Sequence, residues 1–160
     1  MDLSALLIPP SLDAKQALRL HRLGLAALTY VLSMALLTTA WALGVIPAQH
    51  LLGYAALSVA INLGLYLAIR SGFNLRFEDP SLTRFQILAA ISLLMFIVYH
   101  MDSGRNIVLF GCFVVFLFSV FRFNRREFIF VTLYLLAAYA LVINLLMHLR
   151  PQAIQSVYTE

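Results

Sequence analysis

Residues 70–84 read RSGFNLRFEDPSLTR, three arginines and two acids set between two stretches that carry no charge. Upstream, no Asp, Glu, Lys or Arg occurs from 23 to 69. Downstream, none occurs in 85–101, 106–121 or 128–149. Of the 160 residues, 62% are hydrophobic and 11% charged, against about 25% charged in an ordinary soluble domain. So few charges cannot clothe a water-facing surface, and they sit where apolar runs end. A helix crosses a hydrocarbon core in about 20 residues, and the charge-free runs match that length. The sequence therefore specifies an all-α membrane protein, a polytopic bundle of transmembrane helices.

Five spans are expected: Leu23–Ile46, stopped by Pro47; Leu51–Ile69; Pro80 to Met101, with Asp79 as N-cap and proline at the first helical position; Asn106–Phe121; and Phe128–Leu149, closed by Pro151. Before them, Ser11 reads as the N-cap of a basic, partly apolar helix carrying Lys15, Arg19 and Arg22, expected to lie on the membrane surface. The organisation is thus a cytoplasmic segment with an interfacial helix (1–22), a five-span membrane domain (23–149) and a polar stub (150–160). No cleavable signal peptide is evident, because the first apolar run is too long for one.

Orientation follows from the basic residues, which mark the cytoplasmic side. Lys15, Arg19 and Arg22, the loop arginines Arg70, Arg76 and Arg84, and Arg122, Arg125 and Arg126 fall on one side; only Arg105 and Arg150 fall on the other. Nine against two places the N-terminus inside and, with five spans, the C-terminus outside. The expected location is a cytoplasmic membrane, crossed several times. Trp41 and Tyr54 are expected in the outer aromatic belt. The formal charge of +4 is not one patch; it lies beside the apolar ends, which suits anionic headgroups and gives no nucleic-acid surface.

No enzyme signature is present: no P-loop, C-x-x-C, H-E-x-x-H or G-x-S-x-G. No carboxylate falls in mid-span, where an ion-coupled carrier keeps its charge-handling group. The chain therefore reads as non-catalytic, and no cofactor is indicated. The single cysteine, Cys112, falls inside a predicted span and reads as a small packing residue. His50, His100 and His148 all fall at outer span ends, with Tyr99 and Asp102 beside them. That set has three readings: a pH or ligand sensor, a metal or haem site, or interfacial side chains facing headgroups.

Ala56, Ala60, Gly64 and Ala68 place a small residue at every fourth position of the second span, a ridge for close helix contact within the bundle or with a second copy. Asn62 and Asn144 read as amides bonding across helices, or as the lining of a pocket for a small amphiphilic ligand. In the loop, the arginines follow from topology, but Glu78 and Asp79 do not. Asp79 has its capping role. Glu78 is placed to pair with Arg76, or with Arg125 and Arg126 in the other cytoplasmic turn, coupling the two turns.

The stretches NLRFEDPSLTRFQ (Asn74–Gln86) and FRFNRREF (Phe121–Phe128), each leading into an apolar span, resemble the N-terminal membrane region of certain bacterial diguanylate cyclases. That resemblance implies a multi-span sensor that relays helix movement to a cytoplasmic GGDEF output domain making cyclic di-GMP. No such domain is present in these residues. The expectation is a non-catalytic input module of a signalling protein, its partners being the bilayer, a small amphiphilic or ionic ligand, and a second copy. The competing expectation is a small stand-alone transporter or channel.

Overall fold

The computed structural model describes residues 13–101 and 123–152. Among them are four helices long and apolar enough to cross a membrane: α1 (Ala14–Ala42), α2 (Ala48–Arg70), α3 (Thr83–His100) and α4 (Arg125–Leu149). The expected span over 106–121 lies outside the described residues, as do Ser11, Asp102, Arg105, Cys112 and most of the 150–160 stub. In none of the four is more than 28% of the most apolar window buried inside the protein. Leu36 and Leu43 are 73% and 74% exposed, and many other large side chains also point outward. Water would penalise such a surface, whereas lipid tails accept it. The protein is an all-α molecule with the surface of a multi-pass membrane protein.

The expected surface helix and first span are one continuous helix of 29 residues. Nothing in 14–42 breaks it, and its early turns are held by the fold: Gln16, Leu20 and Leu23 are buried. The expected break at 22/23 is absent. Its end also differs from the expected stop at Pro47. The Gly44 and Val45 amides donate to Trp41 and Ala40 carbonyls, with Gly44 at φ +74°. This pairing satisfies the last carbonyls through a left-handed residue, a conformation that favours glycine. Pro47 instead takes the cap position of α2.

The 70–84 connection folds as Gly72 at φ +78°, a single 3-10 turn (Phe73–Arg76) and a reverse turn, Asp79–Leu82. α3 therefore begins at Thr83, three residues later than the proline would set it. Leu82 is left-handed, φ +52°, and its side chain is buried in a cluster with Leu20, Leu23 and Ile69. That burial offsets the unfavourable backbone of a non-glycine residue there.

α1, α2 and α3 alternate in direction. Gln16 near the start of α1 bonds the end of α2, and His50 near the start of α2 meets His100 at the end of α3. α4 runs parallel to α3: Arg84 pairs with Glu127 at their starts, and Arg150 donates to the Tyr99 carbonyl at their ends. Ile91, Met95 and Val98 of α3 pack with Val131, Val142 and Leu146 of α4. Ile46, Tyr54, Leu93, Ile97 and Met101 form a second cluster joining α2, α3 and the turn before α2. Tyr54, expected in the aromatic belt, is only 4% exposed and belongs to this core, while Trp41 is exposed at the same end.

Candidate functional site

The bundle gathers its polar chemistry at two ends. At the basic end the 70–84 loop is anchored by a buried amide pair. The Gln16 Nε2 donates to Asn74 Oδ1 at 2.9 Å and to the Ile69 carbonyl at 3.2 Å, and Asn74 Nδ2 returns a bond to Gln16 Oε1 at 3.0 Å. Asn74 Nδ2 also donates to the Pro80 carbonyl, and Arg19 donates to Gln16 Oε1 at 2.8 Å. Asn74 is wholly buried, so a polar side chain with every donor used fixes the middle of the loop to α1 and, through Gln16, to the end of α2. Neither Gln16 nor Asn74 stands out in the sequence, because their pairing joins residues 58 positions apart.

The two turns are coupled, but through Arg84 rather than through Arg125 or Arg126. Arg84 Nε donates to Glu127 Oε1 at 2.8 Å, and Glu78 approaches Arg84 at 3.8 Å. Glu78 has its side chain 91% exposed, so its share is small. Glu127 is held from the other side by a capping box: its amide donates to Asn124 Oδ1 at 3.0 Å and its Oε2 accepts from the Asn124 amide at 3.1 Å. The N-x-x-E spacing at 124–127 is the signal that would have found it. Asp79 caps α3 from upstream, accepting from the Ser81 and Arg84 amides at 3.1 and 3.2 Å. Arg76 lies over the Phe73 ring at 5.4 Å, and Arg125 and Arg126 are exposed, with no ion pair among the described residues.

At the opposite end, three of the five expected sensing residues come together. The His50 and His100 rings meet at 4.0 Å between centroids, and Tyr99 meets His100 edge-on at 4.9 Å. His100 Nδ1 lies 2.8 Å from the Phe96 carbonyl, and Gln49 Nε2 lies 3.3 Å from His50 Nε2. Arg150 adds its charge, 5.9 Å from the Tyr99 ring centroid. His148 is exposed on α4, apart from the pair, and Asp102 lies outside the described residues. Among the described residues no group of three metal-ligating side chains forms.

The small-residue ridge is turned away from the bundle. Ala56, Ala60 and Gly64 are exposed, with open space around Gly64, and only Ala68 is partly covered. Among the described residues Ala56, Ala60 and Gly64 do not pack helix on helix, while Ala68 packs against the Leu20, Leu23 and Ile69 cluster. The close approach of α2 to α3 occurs at Gly53, where an added Cβ would sit 3.2 Å from Phe96 Cζ. Asn144 is exposed too. Asn62 spends its amide on the Ser58 carbonyl, 2.8 Å away in its own helix. Ser92 and Tyr134 do bond across α3 and α4, 2.7 Å between hydroxyl oxygens.

No family model, curated protein or solved structure matches this chain.

Proposed function

We propose that the chain is the non-catalytic sensor module of a bacterial signalling protein of the diguanylate cyclase type, set in the inner membrane with its basic end in the cytoplasm. The observation that carries this reading is the position of α3. Its last turn holds Tyr99 and His100 in the histidine contact, and its first turn holds Arg84 in the pair that joins the two cytoplasmic turns. Residues 84 and 100 lie about 24 Å apart along one helix. A helix is rigid enough that a shift imposed at one end is delivered at the other. The likeness of Asn74–Gln86 and Phe121–Phe128 to diguanylate cyclase membrane regions supplies the output class, a cytoplasmic domain outside these residues.

The parallel course of α3 and α4, with Arg84 and Glu127 at one end and Tyr99 and Arg150 at the other, supports the basic end lying on a single side of the membrane. The positive-inside rule then sets the orientation, with α4 ending outside.

Hydrogen exchange across the 72–86 loop, measured in nanodiscs, tests the relay. His100→Ala removes the ring contact with His50 at the outer end, so a relaying α3 should lower protection of the loop at the other end. A loop unchanged by His100→Ala, joined by solute flux through proteoliposomes of the parent chain, would overturn the sensor and favour the transporter.

A further inference from the structure

The 70–84 connection joins two spans at their charged end, yet its outward side chains are not all polar. In the 3-10 turn Phe73–Arg76 the buried residue is the amide Asn74, held by Gln16 and the Pro80 carbonyl. Around it Phe73, Leu75 and Phe77 are exposed, Leu75 by 58%. Single exposed apolar side chains are ordinary. Three within five positions of a polar loop make a patch, and a patch marks a surface that something covers.

The patch is continuous with the lipid-facing wall of the bundle. The Phe73 ring meets Phe77 edge-on at 5.5 Å between centroids, and Phe77 meets Phe85 in the same way at 5.5 Å. Phe85 is the third residue of α3 and is exposed, on a span whose outward side chains face lipid. The three rings therefore form one row, from the start of a span out across the loop. At the far end of the row Arg76 sets its guanidinium over the Phe73 ring, 5.4 Å from the centroid. Both acids of the loop are engaged elsewhere: Asp79 accepts from the Ser81 and Arg84 amides, and Glu78 approaches Arg84. Arg76 has no ion pair among the described residues. Neither has Arg70, which donates to the Tyr66 hydroxyl at the end of α2.

We propose that the 73–77 turn is an interfacial anchor that binds anionic phospholipid. Phe73, Leu75 and Phe77 enter the boundary between headgroups and acyl chains, and Arg76, supported by Arg70, holds the lipid phosphate. An apolar row with cations at its rim has the build of a segment that lies in the membrane surface. The planar guanidinium offers donors in a fork that matches phosphate oxygens. A zwitterionic head carries its own ammonium, so the uncompensated arginines select an anionic one. The row favours lipid over a protein partner, because it begins on Phe85 of a span already bathed in lipid. The buried Asn74 holds the turn in shape beforehand, which lowers the ordering cost of binding. The anchor requires a bilayer but not the sensor reading: neither the histidine contact nor an output domain enters it.

The test places Phe77→Trp in a chain whose single native tryptophan is removed by Trp41→Phe, the full chain being set in nanodiscs. Its fluorescence should be quenched strongly by phospholipid brominated high on the acyl chain and weakly by acrylamide in the water. At equal mole fraction, brominated phosphatidylglycerol should quench about fivefold more effectively than brominated phosphatidylcholine, the worth of one arginine at an anionic surface. Adding Arg76→Gln should remove most of that preference and leave the depth unchanged. Adding Phe73→Ser with Leu75→Ser should raise acrylamide quenching, with the helical circular dichroism intact because both side chains are exposed. Quenching by acrylamide but not by brominated lipid would put the turn in water and overturn the proposal, leaving the patch to a protein partner. Equal quenching by the two brominated lipids, indifferent to Arg76→Gln, would overturn the phosphate contact and its selectivity.

Discussion

The α3–α4 pair and the α1–α2 pair are built from equally apolar helices, yet they are held together differently. α3 and α4 run parallel and are tied along their length: Arg84 to Glu127 at one end, Ser92 to Tyr134 within the membrane, Arg150 to the Tyr99 carbonyl at the other. Between these ties lies a core in which Leu146 and Ile91 are almost fully enclosed. α1 and α2 run antiparallel through a short turn. They are fixed at the two ends, by Gln16 and Asn74 and by the packing around Ile46, and border an apolar cleft at mid-helix. In lipid no hydrophobic drive pulls helices together, so hydrogen bonds and close packing decide which pairs are tight. By that measure α3–α4 is tied by side-chain hydrogen bonds along its length, whereas α1–α2 relies on its ends and on packing.

The largest expected effect falls on the α3–α4 pair. Leu146→Ala should cost about 2–3 kcal/mol, toward the low end for a buried leucine because lipid already solvates the exposed alternative. Val59→Ala, on the cleft wall and 65% exposed, should cost under about 0.5 kcal/mol. Steric-trap unfolding in bicelles measures both, and equal costs would erase the distinction. Glu127→Gln removes the charged partner of Arg84 and weakens the α4 cap, for about 1–2 kcal/mol by the same assay. Glu78→Gln should cost under about 0.5 kcal/mol, as expected for an exposed acid.

Gly44→Ala puts a Cβ on a left-handed residue and should lower stability by about 1 kcal/mol, seen as an earlier thermal transition of the α1–α2 hairpin. The smallest effects cut most directly. Tyr134→Phe removes a hydrogen bond across helices and should cost about 0.6 kcal/mol, the average for such bonds in a membrane bundle. Tyr30→Phe, which deletes a buried hydroxyl with no protein partner, should be neutral or stabilising. Matching losses at Tyr30 and Tyr134 would show that the cleft hydroxyl is already satisfied.

Charge placement determined much of this protein. The charge-free runs located all four described helices, and the three basic segments, where described, do share one end of the bundle. The sequence also brought His50 and Tyr99–His100 under suspicion, because each sits where an apolar run meets polar residues. It could not tell which way a helix faces. Tyr54 and the Ala56–Ala68 ridge occupy one helix, yet the tyrosine is buried and most of the ridge looks outward. In lipid both faces of a helix are apolar, so periodicity carries little information about which face meets protein. The partners of Gln16, Arg84 and Glu127 were equally hidden, since each contact closes over 43 or more residues. Composition and charge could set where the chain crosses, because the bilayer acts on every residue through its solvation alone. Which side chains are paired across the bundle depends on how neighbouring helices meet, and only the tertiary structure decides that.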